Sequence, residues 1–303
     1  MKKVLVLYYS QTGQLKSVLD SFIAKLGDDE IEVSVRSIKP KKPYPFPWPF
    51  YTFFDEFPES VYMDGCEIEE VEGIDNEYDL IILGYTVWYM SPSIPMTAFL
   101  QSAQAKKLLK DKPVVTVIAC RDMWVLAQEK MKNLLKNLDA RLIDNVALTD
   151  RGGAVLSLIT LPTYMLTGDK NYFSFLPKAG IKEEEIQACS RFGQRLNEAL
   201  KANKEREQEP MLKNLGAAVV NAKLIATEKI ATRSFLVWSK LIKLAGKKYS
   251  FGRKIVISIY VIFLIILLLT VVPLNIIIRK ILNIFQKEKL RAMEAYYELP
   301  SGR

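Results

Sequence analysis

The first two thirds of the chain alternate between short apolar runs and longer amphipathic stretches. Unbroken apolar runs, such as residues 4–9 and 80–84, predict parallel strands that are buried on both faces. The stretch 14–26 places its apolar residues at helical spacing. Alternating polar and apolar residues at 31–38 predict an edge strand, and strands at 113–119 and 141–149 and a closing helix at 183–204 complete the pattern. We therefore predict an α/β fold with a doubly wound, five-stranded parallel sheet over residues 1–205.

The first strand ends in a short loop that opens a helix, and this loop is called the phosphate loop below. Backbone N–H groups at a helix N-terminus, joined by side-chain hydroxyls, can hold a phosphate dianion without a cation. The loop lacks the Walker lysine and the three-glycine dinucleotide spacing, which argues against ATP and NAD. A turn without any ligand is the alternative. The predicted phosphate-binding residues are Ser10, Gln11, Thr12, Gly13, Gln14 and Leu15.

Two more loops follow the third and fourth predicted strands. The carboxyl ends of parallel strands meet at one edge of a sheet, and α/β sheets bind ligands there. The three loops together therefore predict one ligand site. The second loop consists of Gly84, Tyr85, Thr86, Val87, Trp88 and Tyr89, and the third loop consists of Cys120, Arg121, Asp122, Met123 and Trp124.

These loops resemble those of flavodoxin-like proteins, which bind FMN. The resemblance implies strand order 2-1-3-4-5 and FMN as the cofactor, with its phosphate in the first loop and its ring against the second and third. Gly84 and Trp88 match a Gly-x-x-x-Trp/Tyr pattern whose aromatic residue stacks on the flavin. Leu15 departs from the family pattern because a hydroxyl residue is usual there, so one phosphate donor is missing.

A closer resemblance is to the bacterial family of dialkylresorcinol condensing enzymes. It rests on the stretch Lys39 to Trp48, the turn Ser91 to Pro95 and the third loop. It implies a role in dialkylresorcinol and flexirubin biosynthesis, beside a ketosynthase that is a candidate partner. The chain contains no histidine, which excludes His-based nucleophilic catalysis and argues against ketosynthase activity. We therefore expect a flavin-dependent aromatisation of 2,5-dialkylcyclohexane-1,3-dione to dialkylresorcinol.

This chemistry needs a group that stabilises an enolate and a group that accepts a proton. Arg121 is the candidate for the first role, and Tyr85, Tyr89 or Asp122 for the second. A local ion pair or helix cap is the alternative for Arg121 and Asp122. Three other functions stay open: a membrane-attached NAD(P)H:quinone oxidoreductase, a non-enzymatic electron carrier, and a scaffold without cofactor. Flavodoxin-like oxidoreductases are often dimers, so a homodimer is also considered.

Two inserts interrupt the predicted domain. Residues 39–58 are rich in proline and aromatic residues, and the prolines predict a stiff polyproline-like loop with no helix. This loop is either an aromatic lid over an apolar ligand, a segment packed on the surface, or an SH3-type ligand. The insert 152–180 contains an apolar stretch at 154–166 that is too short to span a bilayer. We expect it to form a helix over the site, an interfacial segment or a core helix.

The remaining third of the chain carries most of the positive charge. The whole chain has a net charge of +8, and residues 206–303 contain 17 Lys/Arg against 6 Asp/Glu. Long apolar runs lie among these cations, so an anionic membrane surface is the expected partner rather than nucleic acid. Residues 206–254 are predicted to be a basic amphipathic surface segment, and residues 279–303 a basic tail.

Residues 255–278 hold 24 positions without a charge, of which 19 are Ile, Leu, Val or Phe, so we predict one membrane helix. Pro273, Leu274 and Asn275 offer an alternative, a hairpin that does not cross. Six basic residues lie between Lys240 and Lys254 and five between Arg279 and Arg291. For a single span, these counts barely favour the orientation with the N-terminal flank on the cytoplasmic side.

The cysteines and the N-terminus bear on the compartment. The three cysteines, Cys66, Cys120 and Cys189, are isolated in the sequence and indicate neither a disulfide framework nor a zinc site, so no metal is expected. No signal peptide precedes the first strand. We therefore predict a protein on the cytoplasmic face of the inner membrane, anchored by its C-terminal segment, with an apolar long-chain substrate.

Overall fold

The sheet has five parallel strands in the order β2-β1-β3-β6-β7, and a two-stranded hairpin, β4-β5, stands beside it. The structure is a computed structural model that describes residues 1–74, 77–150, 157–176, 178–207, 209–270 and 287–302. The order confirms the predicted α/β fold and corresponds to 2-1-3-4-5 when the hairpin is left out. The strands are β1 (Lys2–Tyr8), β2 (Ile31–Ser37), β3 (Leu80–Tyr85), β4 (Val87–Trp88), β5 (Ser91–Pro92), β6 (Pro113–Arg121) and β7 (Arg141–Asp150).

Helices cover both faces of the sheet. One apolar layer is formed with α1, α8 and α9, and the other with α4, α5, α6 and the first turn of α10. The α-helices that the structure describes are α1 (Gln14–Ile23), α2 (Phe50–Asp55), α3 (Phe57–Tyr62), α4 (Ile94–Leu100), α5 (Ala103–Leu109), α6 (Val125–Asn137), α7 (Ser157–Thr167), α8 (Glu183–Ala188), α9 (Ser190–Lys201), α10 (Ala222–Leu244), α11 (Phe251–Leu269) and α12 (Lys287–Tyr297). The predicted closing helix at 183–204 is therefore two helices, α8 and α9.

The apolar runs of the central strands account for the two layers. In β1, Val4 and Val6 face one layer while Leu5 and Leu7 face the other, because successive side chains of a strand alternate between the faces.

Helix α9 lies very close to α1 at Gly193. A Cβ at that glycine would stand 1.8 Å from the carbonyl oxygen of Phe22, so only glycine allows this approach.

Packing of the domain continues past residue 205, the predicted boundary. The main-chain N–H of Ala147 in β7 donates a 2.8 Å hydrogen bond to the carbonyl of Ala217. The buried carboxylate of Asp144 accepts hydrogen bonds from the N–H groups of Met211 (2.7 Å) and Leu212 (3.2 Å). Burial raises the pKa of Asp144 to about 6. Met211, Leu212 and Ala217 are therefore part of the sheet's own core.

The insert 39–58 contains helical structure, so the prediction that its prolines exclude helix is wrong. Phe50–Asp55 form α2, and Phe57–Tyr62 form α3. Pro49 stands just before α2, and Pro58 lies in the first turn of α3. A helix tolerates proline at these positions because the first N–H groups have no partner within the helix. The rule against helix holds only for the stretch before Pro49.

A third apolar cluster joins α2 and α3 to the C-terminal helices α10 and α11. Its central contact is a stacked ring pair, Phe57 and Tyr260, with centroids 4.9 Å apart. Beside it, the buried guanidinium of Arg253 lies 3.3 Å from a carboxylate oxygen of Asp55 and 2.8 Å from one of Glu59. The start of α11 is therefore fixed to the aromatic insert by both ring packing and ion pairs.

Helix α11 is the part of the predicted membrane segment that the structure describes. Among the described residues, one helix is long and apolar enough to cross a membrane by length and composition, and it is Phe251–Leu269, with a mean hydropathy of 2.4. The predicted segment continues to residue 278. Its last part, with Pro273, Leu274 and Asn275, lies outside the described residues.

The chain beyond α12 packs against the sheet domain. The side chain of Glu298 accepts a 3.2 Å hydrogen bond from the N–H of Val220. The hydroxyl of Ser301 accepts from the N–H of Asn145 (2.6 Å) and donates to its carbonyl (2.7 Å). The C-terminal residues therefore contact β7, the last strand of the sheet.

Candidate functional site

The phosphate loop lies where β1 ends and α1 begins. Gly13 has a φ of 83° and directly precedes the helix, a left-handed conformation that glycine adopts without strain. The hydroxyl of Ser10 accepts a hydrogen bond from the N–H of Lys16 (3.4 Å). The N–H groups of Gln14 and Leu15 stand in the first turn, where no helical carbonyl can reach them. This arrangement offers main-chain donors to an anion.

Leu15 contributes only its main chain to this loop. Its side chain is fully buried in the layer of α1, α8 and α9. The hydroxyl that the family pattern places at this position is therefore replaced by a core contact. The adjacent Gln14 side chain reaches Gly180, where an added Cβ would stand 2.5 Å from its amide nitrogen.

Both inserts close over the phosphate loop. The amide of Gln11 donates a 2.7 Å hydrogen bond to the carbonyl of Pro45 in the aromatic insert. The side chain of Thr12 is hydrogen-bonded to Tyr164 in α7. The two inserts are themselves joined, since the N–H of Trp48 donates to the carbonyl of Met165 (2.8 Å). The first part of the apolar stretch 154–166 lies outside the described residues. The described part, in α7 (Ser157–Thr167), agrees with the alternative of a helix over the site.

The second loop forms the hairpin β4-β5, and Trp88 lies in its first strand. Tyr89 and Met90 occupy the turn with φ values of 46° and 60°, as a two-residue hairpin turn requires. The ring of Trp88 packs edge-on against Tyr9 (6.0 Å between centroids), Tyr44 (5.1 Å) and Trp48 (5.7 Å). These four side chains, Tyr9, Tyr44, Trp48 and Trp88, form what is called the aromatic box below.

The hydroxyls of Tyr85 and Tyr89 are both held by hydrogen bonds inside the protein. Tyr85 is fully buried and donates to the side-chain oxygen of Gln128 (2.6 Å). Tyr89 donates to the carbonyl of Phe53 (2.8 Å). Burial raises the pKa of both tyrosines well above 10, so neither can act as a base at neutral pH. This geometry does not support the predicted proton-acceptor role for either residue.

The third loop begins later than expected, because β6 extends through Cys120 and Arg121. Arg121 ends this strand in register with Asp150, the last residue of β7. Burial lowers the pKa of Arg121 to about 10, while the negative charges of Asp150 and Asp122 act in the opposite direction. The guanidinium therefore stays cationic at neutral pH. Asp122 and Met123 are half-buried, and Trp124 lies in the core, so its ring is not part of the site.

Two acidic residues near the third loop were missed in the sequence. Asp150 accepts a 2.9 Å hydrogen bond from the N–H of Gly180 and lies next to Arg121. Its position at the end of the fifth predicted strand, at the edge where the other loops meet, is the feature of the sequence that could have revealed it. Glu228, in α10, accepts a 2.9 Å hydrogen bond from the N–H of Leu126 at the start of α6. Its signal was weak, a single acidic residue within a basic helix.

Burial of Glu228 raises its pKa to about 7. Hydrogen bonds from the first N–H groups of α6 act in the opposite direction, since they stabilise the carboxylate. The side chain is fully buried and stands directly after the third loop in space. A residue of the C-terminal third thus fixes the start of the helix that follows Arg121 and Asp122.

Three buried polar atoms at this edge have no hydrogen-bond partner among the described residues. They are the side-chain oxygen of Gln11, the hydroxyl of Thr86 and the indole nitrogen of Trp48. One belongs to the phosphate loop, one to the second loop and one to the aromatic box. Unpaired buried polar groups are costly, so these three atoms are candidate contacts for a ligand. A ligand with a phosphate and a flat polar ring system fits these residues.

Comparison with known proteins gives similarity to solved structures. No protein-family model matches the chain, and no curated protein sequence matches it. It is similar to a flavoprotein in complex with FMN from Lactobacillus acidophilus NCFM, with 22% identity over 48% of this chain and 93% of the other and a TM-score of 0.41. A flavodoxin from the domain Archaea is 13% identical over 66% of this chain and 99% of the other, with a TM-score of 0.37. A flavodoxin, WrbA-like protein from Agrobacterium tumefaciens is 12% identical over 69% of this chain and 100% of the other, with a TM-score of 0.37.

Proposed function

We propose that this chain is an FMN-dependent oxidoreductase that aromatises a 2,5-dialkylcyclohexane-1,3-dione to a dialkylresorcinol. The observation that carries the proposal is the meeting of three features at one edge of the sheet: a helix start that offers main-chain donors, the aromatic box and the half-buried cation of Arg121. The phosphate loop would hold the FMN phosphate. The second loop with Trp88 and the third loop would hold the ring system. A bound flavin ring would replace the contacts that Trp88 makes with Tyr44 and Trp48.

FMN, when bound, would supply the hydride acceptor, and oxygen or a quinone would take up the electrons afterwards. The substrate loses one hydride and one proton from neighbouring ring carbons and gains the aromatic double bond. A cyclic dione enolises readily and carries negative charge on oxygen. Arg121 stabilises that charge, because it is a half-buried cation in a site of low polarity.

Asp122 is the proposed proton acceptor. The tyrosine hydroxyls of the second loop are already bonded to Gln128 and Phe53, so they do not face a substrate. Asp122 stands one residue after Arg121, half-buried, and its negative charge acts on the guanidinium. A carboxylate beside the cation that holds the enolate would accept the proton from the same ring.

Membrane attachment and an apolar substrate belong to the same proposal. Helix α11 has the length and composition of a membrane helix, and its start packs on the aromatic insert that also forms the aromatic box. A substrate with long alkyl chains partitions into lipid. We place the protein on the cytoplasmic face of the inner membrane, with a ketosynthase of the same pathway as a candidate partner.

The test is a flavin spectrum of the detergent-purified, FMN-loaded protein before and after anaerobic mixing with a synthetic dialkylcyclohexanedione. Bleaching of the flavin band with formation of the resorcinol supports the proposal. Bleaching by NAD(P)H and reoxidation by quinone, with no reaction of the dione, would replace the aromatase by a quinone oxidoreductase. A protein that holds no flavin would refute both.

Arg121→Ala tests the proposed role of the cation. We expect dione turnover to fall by about a hundredfold, the usual effect of removing one charge-stabilising group, with unchanged FMN content. The matched control is Arg191→Ala, which removes an exposed arginine on α9. Equal turnover in the two variants would remove Arg121 from the mechanism.

A further inference from the structure

Helix α11 presents an apolar stripe that the described residues of the chain do not cover. Ile255, Ile259, Ile262, Ile266 and Leu269 are each between 47% and 74% exposed. A continuous apolar face of this kind marks contact with a lipid or a protein surface. Basic residues precede it, among them Lys247 and Lys254, and cations next to an apolar helix fit an anionic leaflet.

The chain on each side of this stripe contacts the same domain. Before it, Arg253 is buried between the carboxylates of Asp55 and Glu59. After it, Ser301 exchanges two hydrogen bonds with the main chain of Asn145 in β7. Tyr297, Leu290 and Met293 of α12 also pack on the layer of α4, α5 and α6.

A single membrane crossing cannot produce both sets of contacts. It would separate the two flanks by a hydrocarbon core of about 30 Å. Helix α11 has 19 residues and so a length of about 28 Å, close to that thickness. The 16 residues from 271 to 286 can span up to about 50 Å, which is long enough for the chain to return.

We infer that the apolar segment enters and leaves the bilayer on the same face, the face on which the sheet domain lies. The inference rests on the membrane attachment proposed above and chooses between the two topologies that the sequence left open. It also accounts for the near-equal basic flanks, six residues between Lys240 and Lys254 and five between Arg279 and Arg291. Cationic flanks are retained on the cytoplasmic side, and here both are cationic.

The topology is tested with two single-cysteine additions in the full chain expressed in bacteria. Ala226→Cys lies on α10, before the apolar segment, and Ala292→Cys lies on α12, after it, and both positions are exposed. A bulky membrane-impermeant maleimide is added to intact spheroplasts and, separately, to inverted membrane vesicles. The gel shift is compared with that of the unsubstituted chain, so that labelling of the three native cysteines is subtracted.

We expect both positions to stay unlabelled in spheroplasts and to be labelled in inverted vesicles. Opposite patterns at the two positions would establish a single span and overturn the inference. Recovery of the protein in the soluble fraction, without detergent, would mean that a second copy or another protein covers the stripe, and it would overturn both the topology and the attachment. The flavin spectrum is read from the same preparations, so that failure of FMN binding is recognised separately.

Discussion

The buried carboxyl group of Glu228 predicts that mild acid stabilises this protein. Its pKa rises from 4.5 to about 7 on folding, mainly because burial disfavours the charged form. The folded state then binds the proton more tightly than the unfolded state. The stabilising effect is complete below the unfolded pKa and is lost as the pH rises through the folded pKa.

The size of the effect follows from the shift. One pKa unit corresponds to about 1.4 kcal/mol, so a shift from 4.5 to about 7 is equivalent to about 3 kcal/mol. The side chain is fully buried, so solvent screening does not reduce this value. A change of about 3 kcal/mol in the free energy of unfolding moves the thermal midpoint by about 6 to 12 °C. Most of this change falls between about pH 5 and about pH 7.

The variant that isolates this group is Glu228→Gln, which keeps an oxygen to accept the hydrogen bond from Leu126 but cannot ionise. Thermal midpoints of the detergent-purified protein are measured at about pH 5 and about pH 8. We expect the midpoint of the parent to fall with rising pH and that of the variant to fall much less. Asp144, whose pKa is raised to about 6, supplies a smaller dependence at lower pH that remains in the variant.

The control is Glu207→Gln, which removes an exposed carboxylate from the same third of the chain. It should keep the full pH dependence of the parent. Equal slopes for the parent and Glu228→Gln would refute the reasoning, since they would mean that the buried carboxyl carries no proton linkage.

Three further predictions concern packing and backbone geometry. Gly193→Ala places a Cβ 1.8 Å from the carbonyl oxygen of Phe22, so the helices α1 and α9 must separate. We expect a loss of about 3 kcal/mol, measured as a lower midpoint in circular dichroism. Arg253→Ala leaves the buried carboxylate of Asp55 without its cation, and we expect a loss of about 3 to 5 kcal/mol by the same assay. Gly13→Ala meets no atom within 4 Å but must adopt a φ of 83°, at a cost of about 1 kcal/mol. FMN should then bind about fivefold more weakly in a fluorescence-quenching titration.

Each of these variants has a control within the chain. Gly13→Ala, which causes no clash, is the steric control for Gly193→Ala, and equal midpoints would contradict the close approach of the two helices. Lys254→Ala removes the exposed neighbour of Arg253 and should have little effect on the midpoint. A similar fall in midpoint for Lys254→Ala and Arg253→Ala would mean that burial of the ion pair does not cause the loss of stability. Unchanged FMN affinity in Gly13→Ala would show that the loop does not need its left-handed residue for binding.

The sheet was predictable because its central strands are nearly uniform apolar runs, a pattern that is typical of strands covered on both sides. The number of prolines in the insert does not predict the helices α2 and α3, because the effect of a proline depends on its position. Pro49 and Pro58 stand where a helix start tolerates them. Local sequence therefore predicted the order of elements better than the content of the insert.

The orientation of Tyr85 could have been predicted from the strand period. Ile81 and Leu83 face the layer of α4, α5 and α6, and Tyr85 continues this alternation by two. The predicted strand ends at Gly84 and therefore leaves Tyr85 in the loop, whereas β3 continues through Tyr85. Glu228 could not have been found in this way, since its contact with Leu126 joins residues 102 positions apart. No periodicity in the sequence reports such a long-range pair.

The contacts made by the C-terminal residues have a further consequence for β7, which is an outermost strand of the sheet. An outermost strand offers unpaired N–H and C=O groups to which another chain can add as a strand. Here Ala217 occupies the N–H of Ala147, and Ser301 occupies both main-chain groups of Asn145. Truncation before residue 206 would open this row of groups and expose the core beside it. The chain's own tail thus protects the sheet against edge-to-edge aggregation.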